Sequence, residues 1–395
     1  MWEQAGLELL AQSVEYATRR TFGVTLLRLA VLHLRRQPWR HSLLILAVAL
    51  LASLLLMLVT IRGTLVDSLS GAVATADADL LVTNEDAVGN VQASRIDAGN
   101  RDRVDALPGV ASVSPVGELR MRGDVGQGPV DVSVWGVARD GPGPPGRLVG
   151  GRAVQAPTEA VADGADRRRG FEPGAVVALD GVDEQLEIVG IAAGARSGGL
   201  ATVFTDYEQW RRIVQQRFPD ADTIRPNALA VRVESTTDAS AVAARIAERT
   251  DLEARPPTEA AARLPGIADI ERSLALVAAL AFGGVMVVVA AFFTVVVAQQ
   301  QRSLAVLMAT GASGLRLAWG VMAEAALITA AGLGVAVPAV VGLGSMTPAT
   351  FPLAPSGVTM SVLAGAVLVA AMLAALVPAR RILRLDVRHV LERGR

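Results

Sequence analysis

Three long apolar runs with almost no charge limit what this chain of 395 residues can fold into. The first covers residues 43–61, the second covers residues 273–301, and the third, residues 317–379, contains a single ionisable side chain, Glu324. A helix needs about 20 apolar residues to cross the roughly 30 Å hydrocarbon layer of a bilayer. The runs therefore predict membrane-spanning helices and exclude a simple cytosolic enzyme.

The third run is too long for one span, and Pro348, Pro352 and Pro355 interrupt it. We predict four transmembrane helices, at residues 43–61, 273–298, 317–343 and 358–377. A cleaved signal peptide is the alternative for the first run, but the 42 preceding residues exceed an n-region and the run exceeds an h-region. The predicted fold class is a membrane protein with four transmembrane α-helices, one plus three, and a large α+β extracytoplasmic domain between helices 1 and 2.

The distribution of arginine predicts the orientation in the membrane. Residues 62–272 carry a net charge of −9, whereas the rest of the chain carries +8. Since positively charged flanks stay in the cytoplasm, we expect both termini and residues 299–316 on the cytoplasmic side of the cell membrane. The domain of residues 62–272 and the short loop 344–357 then face outward. The termini are predicted as amphipathic N-terminal and elbow helices at residues 1–42 and a tail at residues 378–395.

The outward domain alternates strand-like and helix-like patterns, which predicts an α+β fold. Predicted strands cover residues 78–83, 110–116, 130–138, 175–179, 186–191, 201–204 and 228–233. Predicted helices cover residues 96–107, 206–218 and 238–248. We interpret residues 141–151 as a surface loop and Asp166-Arg167-Arg168-Arg169 as a solvated turn.

Several kinds of catalytic and binding site are excluded, because the residues that they need are absent or are not placed to form them. Cysteine is absent, and all 37 basic residues are arginine, so neither a thiolate site nor the lysine of a P-loop is available. The string of residues 141–146 satisfies G-x-G-x-x-G, but three prolines remove the N–H groups that would hold a phosphate. The three histidines lie on the predicted cytoplasmic side and form no metal pair or catalytic triad. We predict no catalytic residue, no metal site and no enzyme activity.

Residues 299–316 are predicted to form a short amphipathic helix followed by a turn. Leu304, Leu307 and Met308 share one helical face, and Gly311 is a natural helix stop. One interpretation is a plain interfacial connector between two spans. The other is a docking helix whose apolar face enters a groove on a cytoplasmic partner.

The same segment resembles the FtsX-like, MacB-type ABC transporter permeases. The resemblance rests first on Arg302, Val306-Leu307, Ala309 and Gly311-Ala312-Ser313, then on Glu324, Gly332-x-Gly334 and Pro378-Ala379-Arg380-Arg381. Similar phrases recur in the outward domain at Leu107-Pro108-Gly109-Val110, Gly136-Val137, Gly151-Arg152 and Ile188-Val189-Gly190.

This resemblance implies a homodimeric permease that is energised by a separate cytoplasmic ABC ATPase subunit, which binds the ATP. The chain itself would need no cofactor, and its helices would transmit ATP-driven motion to the outward domain. The implied ATPase-coupling residues are Arg302, Leu304, Leu307, Met308, Gly311, Ala312 and Ser313. Relatives usually place an acidic residue after the arginine, where this chain has Ser303.

Glu324 is the one ionisable residue deep in the late apolar run. A carboxylate in the bilayer costs about 2.5 kcal/mol or more near the centre. The sequence leaves two interpretations open: a structural ion pair with Arg302 or Arg316, or a role in coupling. Small residues spaced by four, Ala279 with Gly283 and Gly332 with Ala336, permit close packing of helices.

The leading functional hypothesis is the permease subunit of an ABC-type export or extraction complex that works by mechanotransmission. The alternative is a transmembrane signalling module of the same architecture that activates an extracytoplasmic partner such as a cell-wall hydrolase. A third hypothesis is an ATP-independent scaffold or receptor. Expected partners are the ATPase, a second copy of the chain, membrane lipids and an extracytoplasmic adaptor or effector, and no nucleic acid.

Overall fold

The computed structural model describes residues 38–87, 89–299, 308, 313–348, 353 and 356–383. Its described residues divide into two compact units. The helical unit comprises those within residues 1–60, 275–346 and 354–395. The inserted domain comprises those within residues 61–274 and 347–353.

The α-helices are α1 (Pro38–Ala74), α2 (Ala98–Asp105), α3 (Tyr207–Arg217), α4 (Ala239–Arg249), α5 (Pro257–Ala262), α6 (Ile267–Gln299), α7 (Gly314–Ser345) and α8 (Gly357–Leu383). The strands are β1 (Leu80–Asn84), β2 (Val110–Asp124), β3 (Pro129–Val137), β4 (Leu148–Gly151), β5 (Glu159–Asp163), β6 (Val176–Leu179), β7 (Gln185–Ala192), β8 (Ala201–Asp206), β9 (Ala228–Val233) and β10 (Leu252–Arg255).

Four helices in the described residues, α1, α6, α7 and α8, are long and apolar enough to cross a membrane. Because the inserted domain follows the first of them, the predicted fold class of one plus three helices around an α+β domain is confirmed. Helix α1 continues to Ala74, 13 residues beyond the predicted span 43–61, which adds about 20 Å at 1.5 Å per residue. Helix α6 likewise begins at Ile267, before the predicted start at residue 273.

The helical unit is held together by buried aliphatic side chains from all four long helices. At one point α7 approaches α1 closely: a Cβ built on Gly332 would lie 2.8 Å from Val48 Cγ1 and 3.2 Å from the backbone nitrogen of Ala49. The predicted close packing at Gly332 and Ala336 is therefore confirmed, and Ala336 is fully buried. The other predicted contact is not found, since no described atom lies within 4 Å of a Cβ built on Gly283.

The inserted domain is built on one mixed sheet. Its strand order is β10-β1-β9-β2-β3-β8-β5-β7-β4, with β6 paired to β2 and β7. The β3–β8 and β5–β7 pairs are parallel, and the other pairs are antiparallel. Seven strands were predicted, and β4, β5 and β10 were missed. The interpretation of residues 141–151 as a surface loop is wrong at its end, because residues 148–151 pair with β7 as an edge strand.

The two faces of the sheet are covered by different helices, as the alternation of side chains along a strand requires. On β3, Val132 and Val134 point to the face that carries α3, whereas Trp135 and Val137 point to the opposite face. The opposite face also receives the last turn of α1, through Ala72 and Val73. The sheet therefore lies between the helices α2, α3 and α4 on one side and the end of α1 on the other.

Trp210 of α3 lies flat on two glycines that face each other across β2 and β3. Gly117 and Gly136 are register partners, and Trp210 is 3% exposed. A Cβ built on Gly117 would lie 2.5 Å from Trp210 Cε2, and one on Gly136 would lie 2.5 Å from Trp210 Cγ. The glycines are therefore required because the indole occupies the space of their missing side chains.

We expect Gly136→Ala to lower the free energy of unfolding of the inserted domain by about 1–3 kcal/mol, the usual cost of overpacking. Urea unfolding of the full chain in mild detergent, followed by tryptophan fluorescence, measures the loss. Gly150→Ala is the matched control, because a Cβ at this strand position meets no atom closer than 3.9 Å. Equal stability of the two variants would contradict the packing argument.

Candidate transmission site at the junction of helix α1

Most residues of the predicted ATPase-coupling set lie outside the described residues. These are Arg302, Leu304, Leu307, Gly311 and Ala312. Their role therefore stays a prediction.

The two described members of that set are Met308 and Ser313. Met308 is helical and half-buried. Ser313 has an extended backbone and directly precedes α7, and its side chain makes no capping hydrogen bond in the described part of the chain. Both lie where a cytoplasmic docking segment is predicted, and their role also stays a prediction.

Glu324 lies on α7 and is 6% exposed, among the buried side chains Val321, Ala325 and Ile328. The structure thus places this carboxylate inside the helical unit instead of on its outer surface. Arg302 and the side chain of Arg316 lie outside the described residues, so the predicted ion pair stays a prediction.

The last turns of α1 are hydrogen-bonded to a glycine-rich loop of the inserted domain, residues 194–199. The backbone N–H of Gly198 donates to the carbonyl of Leu69 at 3.0 Å, and that of Gly199 donates to the carbonyl of Ser68 at 2.8 Å. Both glycines have positive φ, 58° and 73°, a region that other residues rarely adopt. The loop can therefore aim successive N–H groups at carbonyls of the helix.

A second pair of contacts fixes the same helix end from the other direction. The N–H of Ala72 donates to the carbonyl of Arg196 at 2.8 Å. Gly71 packs against the carbonyl oxygen of Gly194 so closely that a Cβ there would overlap it. The end of α1 is thus held by backbone contacts, and at Gly71 they leave no room for a side chain.

The loop is in turn anchored by a buried ion pair. Arg196 Nη2 lies 2.8 Å from Asp166 Oδ1, and both residues are at most 3% exposed. Arg169 approaches the same oxygen at 3.4 Å, and the N–H of Thr202 donates to the other oxygen. Beside it, Asp163 accepts from two backbone N–H groups, one of which belongs to loop residue Ala195.

Burial and charge act against each other at this pair. Burial raises the pKa of Asp166 to about 6, against the opposing attraction of Arg196, and the negative charge of Asp163 adds to the rise. Burial also raises the pKa of Asp163 itself. Arg196 therefore supplies the main positive charge that stabilises the ionised forms of these two buried carboxylates.

Glu118 of β2 provides a second anchor for the loop. Ser197 Oγ donates to Glu118 Oε1 at 3.1 Å, and Gln92 Nε2 and Ser133 Oγ donate to the same oxygen at 3.1 and 3.2 Å. Burial raises the pKa of Glu118, while Arg120 and the two hydroxyls oppose that rise. Because Glu118 belongs to β2, a displacement of the loop would pull on a strand in the interior of the sheet.

A side-chain contact also connects α1 to α6. Arg62 of α1 and Glu271 of α6 form an ion pair at 3.4 Å with both side chains about 40% exposed. An exposed pair of this kind contributes little stability. The backbone contacts of α1 with residues 194–199 are therefore the stronger connection.

Sequence reasoning missed these anchors. The interpretation of Asp166-Arg167-Arg168-Arg169 as a solvated turn holds for the exposed Arg167 and Arg168 but is wrong for Asp166, which is fully buried in a 3-10 turn. The physical reason is the loop arginine Arg196, which pairs with Asp166 from 30 positions away. A signal existed in residues 194–199, where three glycines surround one arginine.

Comparisons with known proteins point to one family. A family model described as MacB-like periplasmic core domain matches residues 42–249, and one described as FtsX-like permease C-terminal matches residues 275–387. No curated protein sequence matches the chain.

Two solved structures are similar to part of this chain. The periplasmic region of MacB from Actinobacillus actinomycetemcomitans is 11% identical, with 47% of this chain and 92% of that chain covered and a TM-score of 0.37. The extracellular domain of the noncanonic ABC-type transporter YknZ from Gram-positive bacteria is 12% identical, with 45% of this chain and 98% of that chain covered and a TM-score of 0.31.

Proposed function

This chain belongs to the family of FtsX-like permeases with a MacB-like core domain, and from that membership we propose that it is the membrane subunit of an ABC-type export or extraction complex. In this proposal a separate cytoplasmic subunit hydrolyses ATP, and two copies of the chain form the permease. Both termini and residues 299–316 then lie in the cytoplasm, and the inserted domain lies outside.

The observation that supports mechanotransmission is the unbroken helix α1, which ends in the inserted domain. An α-helix is stiff along its axis because each turn is hydrogen-bonded to the next. Since Ser68, Leu69 and Ala72 are hydrogen-bonded to the loop 194–199, displacement of α1 would pull on that loop. The loop would pass the force to Asp166 and Glu118, which belong to the body of the domain.

The docking role of residues 299–316 can be tested by purification in mild detergent. We expect a P-loop ATPase to co-purify with the chain in stoichiometric amount, and Leu307→Asp and Gly311→Asp each to reduce its recovery by at least about tenfold. A charge at Leu307, on the apolar docking face, must be desolvated, which costs several times the thermal energy. Aspartate at position 311 replaces the glycine that ends the predicted helix. The recovered ATPase is quantified against the chain by mass spectrometry.

Val149→Asp is the control, because it adds the same charge at an exposed position of the inserted domain. Full recovery of the ATPase with Leu307→Asp and Gly311→Asp would place docking elsewhere. Absence of any ATPase from the wild-type sample would favour the scaffold or receptor hypothesis. Activation of a cell-wall hydrolase without release of a membrane substrate would favour the signalling alternative.

A further inference from the structure

A cavity of about 280 Å³ lies in the inserted domain beside the end of α1. Its apolar wall includes Leu69 and Val73 of α1, Trp135 of β3 and Leu264, which precedes α6. Its polar lining residues are Asn90, Gln92, Glu118, Arg120 and Ser197. The volume is close to the lower limit of ordinary small-molecule sites, about 300 Å³.

The two carboxylate oxygens of Glu118 differ in their hydrogen bonds. Gln92, Ser133 and Ser197 all donate to Oε1, and Arg120 Nε lies 3.5 Å from the same oxygen. In the described part of the chain these contacts leave Oε2 without a hydrogen bond, although the side chain is only 3% exposed. Glu118 itself lines the cavity, so an occupant can reach this carboxylate.

The surrounding hydrogen bonds favour the ionised carboxylate and oppose burial, which raises the pKa of Glu118. Trp135 Nε1 donates to Ser133 Oγ at 3.0 Å, so the hydroxyl proton of Ser133 is directed to Glu118. Arg120 neutralises the charge incompletely, because its side chain is 46% exposed and it approaches only Oε1. An anionic oxygen with a vacant acceptor position next to an indole and aliphatic side chains suits a cationic hydrogen-bond donor with an apolar body.

We propose that this cavity is a binding site for a small primary ammonium compound whose ammonium group donates to Glu118 Oε2 and whose apolar body packs against Leu69 and Leu264. A quaternary ammonium group could not donate the missing hydrogen bond. The site goes beyond the proposed transport function, since binding requires neither ATP nor an ATPase. Its occupant would contact the turns of α1 that carry Leu69 and Val73, next to the contacts with residues 194–199.

Three probes of nearly equal size and different charge test the proposal. Cyclohexylmethylammonium, cyclohexylmethanol and cyclohexanecarboxylate are titrated by calorimetry into the full chain in a neutral maltoside detergent. We expect the ammonium compound to bind at least about tenfold more tightly than the alcohol, because a hydrogen bond between a cationic donor and a carboxylate is stronger than one from a neutral hydroxyl. The carboxylate should bind most weakly.

Two variants address the site from different sides. Glu118→Gln keeps a carbonyl oxygen for the three donors and removes the charge, and it should weaken binding of the ammonium probe at least tenfold. Leu264→Trp should fill the cavity while leaving the Glu118 hydrogen bonds intact, and it should abolish binding. Val149→Trp, at an exposed strand position, is the control and should bind like the wild type.

The proposal is overturned if the three probes bind with equal affinity, or if the alcohol or the carboxylate binds best. It is also overturned if Leu264→Trp binds the ammonium probe as well as the Val149→Trp control does. Should Glu118→Gln fail to fold, Leu264→Trp alone decides the question. Failure of the ATPase to co-purify would leave all these outcomes unaffected.

Discussion

Arg196→Met is expected to destabilise the inserted domain by about 3 kcal/mol at pH 8 and by much less at pH 5. Arg196 is 3% exposed and pairs with the fully buried Asp166 at 2.8 Å, next to a second buried carboxylate, Asp163. Removal of one partner from a buried ion pair typically costs 3–5 kcal/mol, because the other charge stays buried without compensation. Arg169 approaches Asp166 at 3.4 Å and supplies part of the lost charge, so the lower limit applies.

The dependence on pH follows from the pKa of Asp166, which burial raises to about 6 from an ordinary value of 3.8. In the folded state Asp166 therefore retains its proton over a range in which the unfolded chain has lost it. For such a group stability falls as pH rises from the unfolded to the folded pKa. Without Arg196 the folded pKa rises above 6, so the variant should keep losing stability at pH values where the wild type no longer does.

The measurement is urea unfolding of the full chain in mild detergent, repeated between pH 5 and pH 8. Arg169→Met is a control with a smaller expected loss, because Arg169 is farther from Asp166 and more exposed than Arg196. Adding Asp166→Asn to Arg196→Met removes the uncompensated carboxylate and should recover most of the stability at pH 8. A loss of stability that is equal at pH 5 and pH 8 would contradict the electrostatic explanation.

The four long helices could be predicted because nothing but a membrane or a large core accommodates such apolar runs. The end of α1 could not be placed as well. Arg62 and Asp67 interrupt the apolar composition after residue 61, yet the helix continues to Ala74 because its last turns are hydrogen-bonded to residues 194–199. Hydropathy shows which part of a helix is apolar enough for a membrane, but it does not show where the helix ends.

Strands that contain many aliphatic residues could be predicted from the sequence. Strands β4 and β10 could not, because their extended conformation depends on pairing with a neighbouring strand. Strand β10 has the sequence Leu-Glu-Ala-Arg and β4 has Leu-Val-Gly-Gly, and neither composition favours a strand. They are extended because β1 and β7 offer unpaired edges to them. Edge pairing of this kind depends on the tertiary structure, which a local pattern cannot contain.

The contacts between the end of α1 and residues 194–199 could not be predicted, for the same reason. Asp166 and Arg196 are 30 positions apart, and Glu118 and Ser197 are 79 apart. Each of these side chains alone is typical of a protein surface. Only the folded chain shows that they enclose one loop and that the loop holds the end of α1.

Thr64→Pro is expected to abolish transmission of ATP-driven motion to the inserted domain, in the complex that we propose. Thr64 lies on α1 after the predicted span and before Ser68, where the contacts with residues 194–199 begin. Proline removes one helical hydrogen bond and clashes with the carbonyl of the residue four positions earlier, which kinks or breaks a helix at a cost of about 3 kcal/mol. A flexible joint would then replace a stiff one.

The absence of cysteine makes the measurement direct. A spin label on Val176→Cys, an exposed strand position, reports the distance between the two inserted domains of the proposed homodimer. We expect ATP to change this distance in the complex with its ATPase, and the change to persist in Thr64→Ala but to vanish in Thr64→Pro. Because residues 299–316 are untouched, ATPase binding should be the same in both variants. An equal distance change in Thr64→Pro would show that α1 does not carry the motion, and the connection would then have to run through α6.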